Sequence, residues 1–106
     1  MKKSVILVVF ILIGLLFTGC EPNPDAVYSV VYFGNGNMFG FAPSDPAEYK
    51  SGMEAVILGK GTLIRNGYTF ICWNTKADGT GKSYEAGSIA KIVDRNIFLY
   101  AVWEKD

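Results

Sequence analysis

The sequence predicts a small, mostly β domain with little helix, α+β at most, and three observations favour that class. Runs of aromatic and β-branched residues recur along the chain, and such residues favour strands. Most of these runs end at clusters of glycine, asparagine or proline, which favour turns. No stretch has the apolar spacing of an amphipathic helix of ordinary length. The 106 residues leave room for one domain at most.

The first predicted strand covers residues 27–33 and ends at the Gly34-Asn35-Gly36-Asn37 turn cluster. A glycine-flanked loop without strand alternation follows, and it contains Phe39 and Phe41. Residues 45–50 then predict one helical turn, with Asp45 as the cap and proline at the first helical position.

Further strands are predicted at residues 54–58, 68–73, 88–92 and 96–103. The Asn-Gly turn signal at residues 66–67 begins the second of these. The last is the strongest, because apolar residues occupy both of its faces. That pattern predicts either a central strand covered on two sides or an edge strand that meets a partner. One face of this strand carries Ile97, Leu99, Ala101 and Trp103. The other face carries Phe98, Tyr100 and Val102.

The N-terminal residues predict export. Two lysines precede an apolar run at residues 5–17, and small residues follow it, as in a secretory signal peptide. The run is shorter than the ~20 residues that span a bilayer. The end, Leu16-Phe17-Thr18-Gly19-Cys20, resembles a lipobox, which implies acylation of Cys20, for example with palmitate. The alternative is an ordinary signal peptide with an accidental cysteine.

The predicted organisation is therefore a lipoprotein signal peptide at residues 1–19, a tether at 20–26 and one β domain at 27–104. Acyl chains would hold the exported protein at the cell membrane or the outer membrane, facing away from the cytoplasm. Removal of the two N-terminal lysines lowers the basic residues from 10 to 8 against 10 acidic ones. The resulting charge of about −2 and the absence of a basic stripe argue against nucleic acid as a partner.

The composition also argues against catalysis. The chain has no histidine, the commonest metal ligand and general base. Its carboxylates are scattered, with no spacing that forces two of them together on one strand face. We therefore expect a protein that is not an enzyme and that has no cofactor and no metal site.

One loop invites a different interpretation, because residues 79–83 read Gly-Thr-Gly-Lys-Ser. A P-loop needs a glycine five positions before Gly81, where this chain has Lys76. A calcium loop that begins at Asn74 would have the same lysine where a carboxylate is needed. The stretch therefore predicts a turn, with a weak divalent-cation site as the alternative.

Four short motifs follow one another along the predicted domain: Gly67-Tyr68-Thr69-Phe70, Trp73-Asn74-Thr75, Ala77-Asp78-Gly79-Thr80-Gly81 and Leu99-Tyr100-Ala101-Val102-Trp103. In these motifs the chain from Tyr28 onward resembles the Listeria–Bacteroides repeat family, also called internalin B-repeats. The resemblance covers nearly all of the predicted domain, and its motifs occur in the family's order. Cys72 departs from the family's usual glycine before the tryptophan; we expect it to pack as a small apolar side chain, with a reactive thiol as the alternative. The motif residues are Gly67, Tyr68, Phe70, Trp73, Asp78, Gly79, Gly81, Tyr100 and Trp103.

The resemblance implies a small β-grasp, ubiquitin-like module of secreted and surface bacterial proteins, used for spacing and for protein or adhesive contact. We therefore expect a non-catalytic module that binds a protein or glycan of the cell envelope. Phe39 and Phe41 are the candidate contacts, because apolar residues on loops mark interaction sites. They could instead tuck over the core, and a sheet edge is another route to a partner. The alternative function is a structural spacer, or an envelope-complex subunit that packs with itself or with another envelope protein.

Overall fold

The computed structural model describes residues 23–106, so the predicted signal peptide and Cys20 lie outside the described residues. Within this range the chain forms strands and turns, and no helix there is long and apolar enough to cross a membrane. The prediction of a mostly β fold is confirmed. The strands are β1 Val27–Tyr28, β2 Val30–Phe33, β3 Tyr49–Lys50, β4 Glu54–Val56, β5 Tyr68–Asn74, β6 Ser83–Tyr84, β7 Ile89–Lys91 and β8 Ile97–Lys105.

The main sheet has the strand order β2-β8-β5-β6. The last strand, β8, lies between β2, to which it is parallel, and β5, to which it is antiparallel. β8 is therefore a central strand, one of the two positions that its doubly apolar pattern had left open. The first and last strands of this sheet in chain order, β2 and β8, form its parallel pair. Two antiparallel ribbons, β1-β3 and β4-β7, complete the strands.

The core lies on one face of the main sheet, between the sheet, the β4-β7 ribbon and the loop that contains Leu63. Trp73 and Leu99 come from the sheet, and Ile57 and Ile92 from the ends of the ribbon strands. Burial of one such aliphatic side chain stabilises the fold by ~1.5–3 kcal/mol. The buried apolar residues are Val30, Tyr32, Ala55, Ile57, Leu63, Trp73, Ala90, Ile92, Leu99 and Ala101.

A β-bulge in β5 directs two motif aromatics into this core. Phe70 pairs with Trp103 and Trp73 pairs with Ala101, so one extra residue, Ile71, lies between the two registers. Residues three apart on a regular strand face opposite sides, and the bulge removes that constraint. The Trp73 ring consequently meets the Phe70 ring edge-on at 5.1 Å.

Residues 45–50 do not form the predicted helical turn. The Asp45 side chain accepts a hydrogen bond from the Ala47 amide at 3.0 Å, as a helix cap would, but irregular residues follow and lead into β3. Tyr49 then pairs with Tyr28, which places its backbone in the β1-β3 ribbon. The prediction was wrong because pairing with β1 requires an extended backbone, and the local cap signal contains no information about that distant strand.

The predicted first strand is divided into β1 and β2 at Ser29. The amide of Ser29 donates to the side chain of Asn96 at 2.9 Å, and the carbonyl of Ser29 accepts from the Ile97 amide at 3.0 Å. The start of β8 therefore redirects the chain, so that β1 pairs with β3 while β2 joins the main sheet.

The face of the main sheet opposite the core is only partly covered, so β8 is central but lacks the full cover on two sides that the first of the two predicted alternatives included. Phe33 and Phe98 are 38% and 46% exposed there. The Tyr100 ring stacks on Phe33 with centroids 4.9 Å apart. We call these three residues the outer sheet face.

Candidate binding surfaces

The loop after β2 presents a group of exposed apolar side chains. Phe39 is 60% and Phe41 is 84% exposed, so neither tucks over the core. Phe39 pairs with Ile64 in an antiparallel bridge, and Met38 precedes it. Both of these neighbours are also exposed. We call Met38, Phe39, Phe41 and Ile64 the loop patch.

Backbone hydrogen bonds hold the loop patch in place. Phe39 and Ile64 exchange two amide-to-carbonyl bonds of 3.1 and 3.0 Å. The Phe41 amide donates to the Thr62 hydroxyl at 2.9 Å. The patch is therefore an ordered surface.

Gly40, between the two phenylalanines, is required by this geometry. Its φ of 80° lies in the left-handed region, which other residues rarely adopt. A Cβ at this position would collide with the Thr62 carbonyl oxygen. The side-chain amide of Asn37 further fixes the segment, because it donates to the carbonyls of Phe39 and Gly40 at 3.2 and 3.1 Å.

The outer sheet face is a second exposed apolar surface. It is not among the candidate contacts predicted from the sequence. Its rings lie on neighbouring strands, with Phe33 and Phe98 centroids 6.2 Å apart. Cys72 is half-buried opposite Val102 in the β5-β8 pairing, which fits a small apolar side chain. Strands carry this face, whereas irregular backbone carries the loop patch.

Most of the motif residues have structural contacts in the fold. The Trp73 indole donates to the Leu58 carbonyl at 2.8 Å, and the Trp103 indole donates to the Gly34 carbonyl at 3.0 Å. Gly67 turns the chain into β5 with a φ of 81°. The Arg65 guanidinium lies 3.8 Å from the centre of the Tyr68 ring. These contacts connect the loops to the sheet and leave the loop patch free.

The loop that resembled a P-loop closes around Asn74, whose side chain the sequence analysis considered only as the start of a calcium loop. The side chain is 1% exposed and makes five hydrogen bonds. Its oxygen accepts from the amides of Lys76 and Gly81, both at 2.9 Å. Its nitrogen donates to the carbonyls of Gly79 and Gly81 and to the Ser83 hydroxyl at 3.0–3.2 Å.

Asp78, the other residue of interest in this loop, also has its partners within the loop. Its carboxylate accepts from the Thr80 hydroxyl at 2.7 Å and from the Thr80 amide at 3.1 Å. These bonds hold the pKa of Asp78 below its usual value. A strand, β6, follows the loop, where a P-loop would lead into a helix. Within residues 23–106 no group of three or more metal-ligating side chains occurs.

The sequence is similar to known repeat-containing proteins. The Listeria-Bacteroides repeat domain family matches residues 28–102. A proposed membrane protein of Evansella cellulosilytica is 42% identical over 76 residues, which cover 72% of this chain and 11% of that protein. A proposed glycine-rich membrane protein of the same organism is 38% identical over 78 residues, covering 73% and 9%. The chain thus spans about a tenth of the length of these curated relatives.

No solved structure gives a significant match to the chain. The family match covers the strands from β2 to β7 in full and most of β8, and it includes the bulge and the loop around Asn74. The chain therefore belongs to the Listeria-Bacteroides repeat domain family.

Proposed function

We propose that this chain is a non-catalytic protein of the bacterial cell envelope, lipid-anchored through Cys20, whose repeat domain binds a protein or glycan through the loop patch. The observation that carries the proposal is the ordered loop that holds Phe39 and Phe41 at 60% and 84% exposure. The envelope location is supported by the lipobox-like residues and by two relatives named as membrane proteins.

The loop patch has the physical properties of a contact site. Aromatic side chains are enriched among the residues that dominate binding energies. A segment already held in one conformation loses little entropy when a partner binds. The hydrogen bonds between the Phe39–Phe41 segment and residues 62–64 supply that order before any partner arrives.

The proposed binding role is tested by crosslinking and pull-down from intact cells that produce the full chain. The double variant Phe39→Ala/Phe41→Ala should lose about 30-fold or more in affinity for the captured partner, because truncating an anchor residue costs ~2 kcal/mol or more. The matched control, Phe33→Ala/Phe98→Ala, removes two phenylalanine side chains from the outer sheet face instead. This control should bind the partner as the wild type does. Equal capture by wild type and the loop variant would refute the role of the patch.

The location is tested separately by the mass of the mature protein. Acylated Cys20 adds the mass of its lipid, and Cys20→Ala should release the protein from the membrane fraction. A mature chain with an unmodified cysteine would overturn the lipid anchor without affecting the binding proposal.

The outer sheet face favours a second candidate, an envelope subunit that packs with itself. Phe33, Phe98 and Tyr100 form an apolar surface, the kind that two copies of one chain can share. Analytical ultracentrifugation of the full chain in detergent distinguishes the candidates. Self-association that is lost in Phe33→Ala/Phe98→Ala and retained in Phe39→Ala/Phe41→Ala would favour the subunit.

A further inference from the structure

A basic cleft lies beside the N-terminal end of the described chain. Its volume is about 740 Å³, and Tyr28, Tyr84 and Phe98 contribute its aromatic walls. Three cationic side chains, Lys82, Lys91 and Arg95, line the same cleft. Tyr28 and Tyr84 also pack against the hydrophobic core, so this part of the cleft is fixed by the fold.

The cleft concentrates positive charge in a domain that is otherwise acidic. Residues 23–106 contain eight basic residues, which are the ten of the chain less two N-terminal lysines, and nine acidic ones, the ten less Glu21. Three of these eight basic residues line the cleft, whereas none of the carboxylates of residues 23–106 lines it. Glu54 lies opposite Lys91 in the β4-β7 pairing, and Asp94 precedes Arg95, but neither side chain contributes to the lining. The cleft therefore favours an anionic partner.

The aromatic residues give the cleft a second property. The Lys82 ammonium lies 5.0 Å from the centre of the Tyr84 ring, a cation–π distance. Tyrosines beside lysine and arginine are typical of protein surfaces at the membrane–water interface, where the rings meet the headgroup region and the cations meet phosphate.

The position of the cleft along the chain favours a membrane as the partner. Tyr28 follows Cys20 by eight residues, and a fully extended segment of that length spans about 27 Å at ~3.4 Å per residue. A turn shortens this reach, because the Ala26 amide donates to the Asn23 carbonyl at 3.1 Å. An anchor at Cys20 would therefore keep the cleft within a short distance of the headgroups.

We propose that the cleft docks on anionic phospholipid headgroups of the membrane that holds the anchor, and so orients the domain on that surface. This inference rests on the proposed lipid anchor. Three cations at an anionic surface would favour the docked over the free orientation on the order of 100-fold. The effect should decline with salt, because the screening length is ~8 Å at physiological ionic strength and ~3 Å at 1 M.

Lysine footprinting of the wild-type protein tests the docking with internal controls. The mature chain is inserted in vesicles of phosphatidylcholine with or without phosphatidylglycerol, treated with a water-soluble acetylating reagent and analysed by mass spectrometry. In anionic vesicles, acetylation of Lys82 and Lys91 should slow at least tenfold relative to the exposed Lys105 of the same molecule, which pairs with Tyr68 at the other end of β8. The slowing should disappear in neutral vesicles and at 1 M salt.

A charge-matched pair of variants identifies the cleft as the cause. Arg95→Gln should reduce the protection of Lys82 and Lys91, whereas Lys76→Gln, a change at an exposed lysine outside the cleft, should leave it intact. Equal acetylation of all lysines in both vesicles, or equal slowing of all of them, would overturn the proposal. Protection by soluble polyphosphate in neutral vesicles, without protection by anionic lipid, would identify a free polyanion instead and would also overturn it.

This design tests the lipid anchor and the docking of the cleft separately. The mass of the mature protein reports whether Cys20 carries lipid. A chain with an unmodified Cys20 is coupled at that residue to a maleimide-bearing lipid in a Cys72→Ala background, so that the footprint tests the cleft in either case.

Discussion

Replacement of Asn74 by alanine should destabilise the domain more than any other single change in the loop around it. The side chain is 1% exposed and makes five hydrogen bonds, so its removal affects five backbone or hydroxyl groups together. The amides of Lys76 and Gly81 would lose an acceptor that lies 2.9 Å away.

The magnitude follows from these unsatisfied groups. A buried donor left without a partner costs ~1–3 kcal/mol. The affected backbone groups belong to Lys76 and Gly79, which are exposed, and to Gly81, which is half-buried, so water can replace part of the lost bonding. The expected loss in the free energy of unfolding is therefore about 1–3 kcal/mol. For a domain of this size each kcal/mol lowers the Tm by ~4–8 °C.

Thermal unfolding of the full chain in detergent, followed by tryptophan fluorescence, measures this loss. Asp78→Ala is the matched control, because its carboxylate bonds only to Thr80 within the loop and should cost less than ~1 kcal/mol. A Tm for Asn74→Ala within 2 °C of wild type would refute the reasoning. A calcium-dependent rise in the wild-type Tm that Asp78→Ala abolishes would show instead that the loop binds a cation.

Other changes give further outcomes in the same unfolding assay. Trp73→Phe should cost about 1–3 kcal/mol, because it removes a buried indole and its hydrogen bond; no measurable cost would contradict the assigned packing. Gly40→Ala should cost more than Gly52→Ala, because both have positive φ but only the first Cβ meets a backbone carbonyl; equal costs would show that the loop can shift. The Tyr49 hydroxyl donates to Asp45 at 2.6 Å, which raises the pKa of Tyr49 to about 12. The resulting stabilisation is fully present below pH 10 and is lost between pH 10 and 12, and Tyr49→Phe should remove this part of the pH dependence of the Tm.

Local sequence patterns predicted the strands but not every side-chain direction. The apolar residues on both faces of β8 left a covered central strand and a partnered edge strand open, and the structure places β8 centrally in the sheet. The spacing of Phe70 and Trp73 does not reveal that both face the core, because the bulge between them depends on the register with β8. For β8, the first alternative overestimated the cover of the outer sheet face, since Phe98 is exposed without a second layer.

Longer-range contacts account for the other differences. The cap signal at Asp45 is local, whereas the β1-β3 pairing that replaces the helical turn joins residues far apart in the chain. Asn74 at the end of a strand, before a glycine-rich loop, is a recognisable signal for a side chain that closes the loop. The basic cleft had no sequence signal, because Lys82, Lys91 and Arg95 come together only through the packing of separate strands and loops.

Photocrosslinking in intact cells tests most directly whether the repeat domain binds a partner through the loop patch. A benzoylphenylalanine at position 41 replaces one exposed aromatic side chain by another, and the same residue at position 98 probes the outer sheet face. We expect the probe at 41 to yield one specific adduct with an envelope protein or glycan. The probe at 98 should yield no such adduct and should react only with lipid, because Phe98 lines the basic cleft. A protein or glycan adduct only at position 98, or adducts at position 41 with a second copy of this chain alone, would contradict the proposed function.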